Sequence, residues 1–326
     1  MMRRINKNAV EFNFEWLFAI VAGATILILA VYGVSRLGNT QRYQTDTEIA
    51  KQLAIITDPL QAGFAEGVFS KIIFNQDTRI NNICYSEDFG KNDMSVATKS
   101  GVGSEWQDSG GATSIHNKYI FSDAASTGRD YYVFSTPFYF PYKVSDLIFL
   151  SSDSNEYCFI SPPRDVENMI LGLNMPHIKV NNCSDNGNII RVCFGTSGGD
   201  CEISVYGSCT NSCGELGVYN EGYVEKFDRS VKMNYVGNLI YGAILSDKGV
   251  YDCNVKRLLY RTGEIAEIFS VKAGLMDSRD CSTNLNTDLA ILGEISKNDT
   301  VDDLFSLNPV IKQIEAKNEQ EICGLW

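Results

Sequence analysis

The sequence predicts an α+β protein: an N-terminal transmembrane helix and helical stalk, then a mainly antiparallel β head with a C-terminal helical layer. Three observations predict it. Residues 16–34, WLFAIVAGATILILAVYGV, form an uncharged apolar run. Seven short runs rich in Tyr, Phe, Ile and Val follow, set between Gly, Asn, Ser and Asp clusters. From Tyr251 onward the apolar residues change to helical spacing.

The apolar run comes first. At 1.5 Å per residue it covers about 29 Å, the thickness of a bilayer's hydrocarbon core. It contains no Pro and no charge. A secretory signal peptide has a shorter apolar core that ends in a small-x-small cleavage site. Here the run is long and AVYGVSRLG offers a poor site after it, so an uncleaved transmembrane helix over 11–36 is expected. Arg3, Arg4 and Lys7 precede the run, while Arg36 and Arg42 follow it with Asp46 and Glu48 nearby. That small basic excess favours a cytoplasmic N-terminus and an extracytoplasmic head.

A helical stalk is expected over 37–58. Ile49, Leu53 and Ile56 recur at i, i+4 and i+7, one face of a helix, past a weak break at Gly38-Asn39. Asp58-Pro59 is expected to end or kink it. The head, 59–326, divides into mainly strands over 71–250 and mainly helices over 251–326. Strands are read at 71–74, 118–121, 130–140, 146–150, 156–160, 188–194 and 201–206, with more near 235–245. A short helix is expected at 163–173. In the last part Val255, Leu258, Leu259, Ile265, Ile268 and Val271 follow helical spacing, and two more helices are read at 284–296 and 301–320. Thr300 and the acids Asp302 and Asp303 suit the start of the last one.

Charge narrows the partners. The chain carries −12 at pH 7. Without the leader and the start of the run it keeps 25 basic against 38 acidic residues, a balance of −13. Nucleic-acid binding needs a basic footprint and is not expected. The lipid bilayer is the expected partner, with other copies of the chain or other surface proteins beside it.

Ten cysteines in an exported head point to disulfides. Cys183, Cys193, Cys201, Cys209 and Cys213 fall in one Gly-, Ser- and Asn-rich segment that buries little, where cross-links would restrict the unfolded ensemble. Cys193 with Cys201 and Cys209 with Cys213 are the most local pairs. The competing reading is zinc on Cys193, Cys201, Cys209 and Cys213, but the spacings lack paired CxxC knuckles. No metal and no cofactor is expected.

Only two histidines exist, His116 and His177, and no HExxH, phosphate-loop or GxGxxG motif is present. Gly195-Thr196-Ser197-Gly198-Gly199 resembles the nucleophile loop of chymotrypsin-like serine proteases, and His116, Asp146 and Ser197 run in that family's order. Thr196 stands where that family has an acid, and the residues around His116 differ from its His-Cys context. A Gly-Ser turn is the expected role of this loop, and no enzyme is expected. Asn182-Cys183-Ser184 and Asn298-Asp299-Thr300 match the N-glycosylation sequon, a short motif that ordinary turn and cap residues also satisfy.

The residues before the apolar run carry one further likeness. Glu11, Asn13 and Glu15 occupy the places of the Gln-x-Ser-x-Glu pattern that opens the mature chain of archaeal type IV pilins, after a short basic leader (1–10). The N-terminus resembles that family's precursors over about 40 residues. The resemblance implies cleavage between Val10 and Glu11, with Glu15 as the fifth mature residue neutralising an N-terminal amine during assembly. Glu11 replaces Gln, Asn13 replaces Ser, and Val10 stands where a small residue normally precedes the cut. The resulting expectation is a single-pass cell-surface structural protein, pilin-like or held by a plain signal anchor. A membrane-tethered binding module is the alternative, and a tethered serine hydrolase built on His116, Asp146 and Ser197 is the rival class.

Overall fold

A computed structural model describes residues 14–61, 69–99, 106, 108–183, 189–195, 201–207, 220–226, 231–279, 281, 283–298, 301 and 304–326. It is mixed α+β, with six α-helices and twelve strands among these residues.

Helix α1 (Phe14–Gln61) runs unbroken for 48 residues, about 72 Å at the standard rise. The expected transmembrane segment and the expected stalk are therefore one element. Neither expected break interrupts it: a Gly inside a helix costs only about 1 kcal/mol relative to Ala, and Pro59 falls two residues before the end.

The first sheet has the order β3-β2-β1-β5-β6-β4. Its strands are β1 (Ser70–Tyr85), β2 (Lys91–Thr98), β3 (Thr113–His116), β4 (Tyr119–Phe121), β5 (Ala125–Tyr139) and β6 (Lys143–Ser152). All pairs are antiparallel except β4 with β6. The second sheet has the order β12-β11-β10-β9-β7-β8. It comprises β7 (Glu156–Ile160), β8 (Ile178–Val180), β9 (Ile189–Phe194), β10 (Ile203–Gly207), β11 (Glu221–Lys226) and β12 (Val231–Val236). Here β8, β7, β9 and β10 run parallel.

Both sheets are thus mixed: among the described residues six of the strand pairings are antiparallel, so the expected antiparallel character predominates, and four are parallel. Helix α2 (Arg164–Leu173) crosses over between β7 and β8 and makes that pair parallel. It stands where the short helix was expected. A correction concerns 235–245. After β12, Gly237 turns at φ +50°, and α3 (Leu239–Leu245) follows with all seven residues buried. A uniformly apolar run has no period to separate a buried helix from a buried strand.

Helices α4 (Lys248–Asp277), α5 (Asn286–Asn298) and α6 (Leu304–Gln320) complete the expected C-terminal layer. The larger core joins both sheets to these helices through residues such as Phe134, Phe149, Phe159, Val224, Leu258 and Leu289. The smaller core lies on the first sheet, where Ala50 and Leu53 of α1 meet Ile80, Met94, Val96, Ile148 and Leu150.

Four disulfides cross-link the described residues: Cys84–Cys253, Cys158–Cys183, Cys193–Cys201 and Cys281–Cys323. Cys84–Cys253 ties β1 to α4 across a sequence separation of 169. On chain entropy it stabilises by about 5 kcal/mol, against roughly 2.5 kcal/mol for the local Cys193–Cys201 link.

Candidate functional site

The part of the molecule with the clearest division of labour is α1. Its stretch Glu15–Val34 is long and apolar enough to cross a membrane, and none of it is buried. Ile26, Leu27, Ile28 and Leu29 each stay at least 64% exposed. Three turns beyond this stretch the same helix docks on the head.

The docking face is built by helical spacing. Asp46, Ala50 and Leu53 point at the first sheet and are buried at 2%, 0% and 3% exposure. Thr47, one position along, accepts a 2.7 Å hydrogen bond from the Gly111 N–H and donates its own hydroxyl hydrogen to the Tyr43 carbonyl at 2.7 Å. Gly110 lies so close that a Cβ there would stand 2.7 Å from the Thr47 backbone nitrogen. The loop carrying Gly110 and Gly111 is fixed in turn by Gly110 N–H to the Val96 carbonyl, 2.8 Å, and by Asn81 Nδ2 to Ser109 Oγ, 2.9 Å. Asp46 accepts from Thr98 Oγ1 at 3.3 Å. Burial raises its carboxyl above the ordinary value, opposed by the hydrogen bonds from Thr98 and by Arg42.

Sequence spacing identified Ile49 and Leu53 on this helix, and both contribute to the smaller core. The side chain of Ile56 is outside the described residues. Asp46 and Thr47 were missed, because acids and hydroxyls on a stalk read as solvated. The available signal was position: Asp46 precedes Ile49 by three and Leu53 by seven, on the same face.

The residues singled out in the sequence fall as follows. Val10 and Glu11 lie outside the described residues. Glu15 sits in the first turn of α1 and is exposed. Cys193 pairs with Cys201, the local pair named from spacing. Cys183 pairs instead with Cys158 on β7, and Cys209 and Cys213 lie outside the described residues. The Cys193–Cys201 disulfide removes two thiolates from the zinc reading. No group of three His, Cys, Asp or Glu forms a metal site among the described residues.

His116 and Asp146 are not brought together. His116 ends β3, the edge strand, and Asp146 lies on β6, four strands away. The registers set His116 level with Tyr85 at one end of β1 and Asp146 beyond Ser70 at the other, so they are apart along the strands as well as across them. Asp146 pairs with Lys143 at 3.0 Å, and Ser197 lies outside the described residues. The structure instead pairs the other histidine with a different serine. His177 Nε2 is 2.7 Å from Ser151 Oγ, and its ring stacks on Tyr132 at 4.2 Å between centroids. Both residues are buried, at 5% and 6% exposure. Burial drives the imidazole down to about 4, so it is neutral at pH 7. This arrangement makes a core hydrogen bond closed to solvent.

No protein-family model, curated protein or solved structure matches this chain.

Proposed function

We propose that this chain is a single-pass, membrane-anchored structural protein of the cell surface, with its head outside the cytoplasm. The observation that carries the reading is the continuity of α1. One helix is apolar and exposed through its first half and, in its second, packs one face, Asp46, Ala50 and Leu53, on the first sheet. A helix apolar all round needs an apolar surrounding, either lipid or neighbouring helices. Its unbroken course fixes the head relative to the span, as suits an anchor or a filament spine better than a flexible tether. The disulfides support an oxidising compartment for the head.

The sharper form of the proposal is pilin-like. It rests on Glu11, Asn13 and Glu15, with processing between Val10 and Glu11. A new amine beside the apolar helix would pair with Glu15 of a neighbouring copy, offsetting the cost of a carboxylate in a dry helical core. N-terminal sequencing of protein from its native membrane tests this form. A mature chain beginning at Glu11, with assembly impaired in Glu15→Gln while processing persists, supports it. A chain that still begins at Met1 or Met2 and is indifferent to Gln at position 15 leaves a plain signal anchor.

A further inference from the structure

We infer that Arg79, Lys99, Arg129 and Trp106 form a patch that docks the membrane-proximal flank of the head onto anionic lipid headgroups. The inference rests on the membrane-anchored reading of α1. Its first support is unbalanced charge in a chain of net charge −12. Arg129 Nε takes Asp77 Oδ1 at 2.8 Å, and Lys99 lies 3.7 Å from the other oxygen of the same carboxylate. One acid is therefore shared by two cations, and a second, Asp153, accepts only the backbone N–H of Arg129 at 3.1 Å, which leaves three cations against two acids. Arg79 has no acidic partner among the described residues. Its guanidinium lies over the Trp106 ring at 5.1 Å, and its buried Nε has no hydrogen-bond partner. Lys99 approaches the same ring at 5.9 Å.

The second support is position. Lys99 pairs with Trp106 in an isolated bridge and directly follows Thr98, which bonds Asp46 of α1. Arg79 follows Thr78, the cross-strand partner of Thr98. The patch is thus level with Asp46, which follows Val34, the last residue of the apolar stretch, by twelve positions. Twelve residues are about 18 Å of helix, of which the headgroup layer takes roughly 5–8 Å. The remaining gap is about 10 Å, comparable with the Debye length at 0.1 M salt. Ordinary helix tilt of about 20° narrows it on one side. Arg36 and Arg42 lie between span and patch on the same helix. Long cations beside a partly buried tryptophan are the side chains that settle at a charged membrane surface.

The test uses the full chain reconstituted in two kinds of vesicle, phosphatidylcholine alone and equal parts phosphatidylcholine and phosphatidylglycerol. Each carries a nitroxide quencher on some headgroups. Trp106 fluorescence is taken as the difference between the chain and its Trp106→Phe variant. Quenching of Trp106 is expected to be at least twofold greater in the anionic vesicles. It should fall to the neutral-vesicle level in 1 M salt, where the Debye length is about 3 Å. Arg79→Gln with Lys99→Gln should abolish the difference, while Arg79→Lys, which keeps the charge, should retain it. Equal quenching in the two vesicles, with the chain resistant to carbonate extraction, would overturn this inference alone. A chain that carbonate extracts would overturn the anchor as well.

Discussion

The N–H of Gly111 donates to Thr47 Oγ1 at 2.7 Å, and this bond joins α1 to the loop that clamps it. Thr47→Val keeps the shape and removes the acceptor. It should cost about 1–2 kcal/mol by leaving that part-buried N–H unpaired. Gly110→Ala should cost about 1–3 kcal/mol, because the new methyl group would meet the Thr47 and Asp46 backbone. Chemical denaturation in detergent measures both. Wild-type stability in Gly110→Ala would mean that α1 does not sit this tightly on the loop.

Asp46 makes docking sensitive to pH. Its carboxyl is raised in the folded protein by burial, so the folded state binds a proton more tightly than the unfolded chain does. The associated stability is present at low pH and is lost as pH rises through the raised value. Asp46→Asn should flatten this dependence and stabilise the protein at pH 7. Protection of the α1 amides in hydrogen exchange, followed against pH in both proteins, checks it. A steeper dependence in the variant would contradict the argument.

Arg257 is the one charged side chain of α4 that reaches the heart of the head, with 0% exposure. Its Nη1 serves Asn92 Oδ1 at 2.5 Å and Asn254 Oδ1 at 2.8 Å. Its Nε and Nη2 reach the carbonyls of Phe89 and Lys118, and it lies over the Tyr119 ring. Four acceptors, on β2, on α4 and in two connecting loops, thus meet one guanidinium. Arg257→Met should destabilise by about 3 kcal/mol or more, since it orphans several buried acceptors. Arg257→Lys should rescue little, because an ammonium has three donors and no fork. Urea midpoints of the two variants decide, and full rescue by Lys would show that charge alone matters.

His177 gives a second pH signature of opposite sign. Its imidazole falls from 6.5 to about 4 on folding. The unfolded chain therefore binds more protons between these values, and stability should decline as pH falls from about 6.5 towards 4. The whole loss is about 3 kcal/mol at most. His177→Gln should remove that slope while keeping a polar partner for Ser151. An imidazole that titrates near 6.5 by NMR would refute the burial argument.

The elements legible in the sequence were those with a period or a strong local signal. The apolar run, the strands around Val133 and Ile148, α2 and the C-terminal helices all have one. Leu239–Leu245 was misread because every position is buried. The parallel half of the second sheet was hidden for a different reason. Strand direction depends on where each connection returns the chain, as α2 does between β7 and β8, and the strands do not record that locally. Of the docking site, only the apolar positions announced themselves. Thr47, Gly110 and Gly111 gain their meaning from a contact between segments 64 positions apart in the chain, which no local pattern encodes. The buried pair of His177 and Ser151 was invisible likewise, since it joins β6 to the entry of β8.

The central claim is that α1 spans a membrane and holds the head outside the cytoplasm. Protease added to intact, wall-stripped cells tests it most directly, with an antibody against the head as readout. The head signal should disappear while a cytoplasmic control protein survives. A head that stays protected in intact cells, and is digested only after lysis, would contradict it.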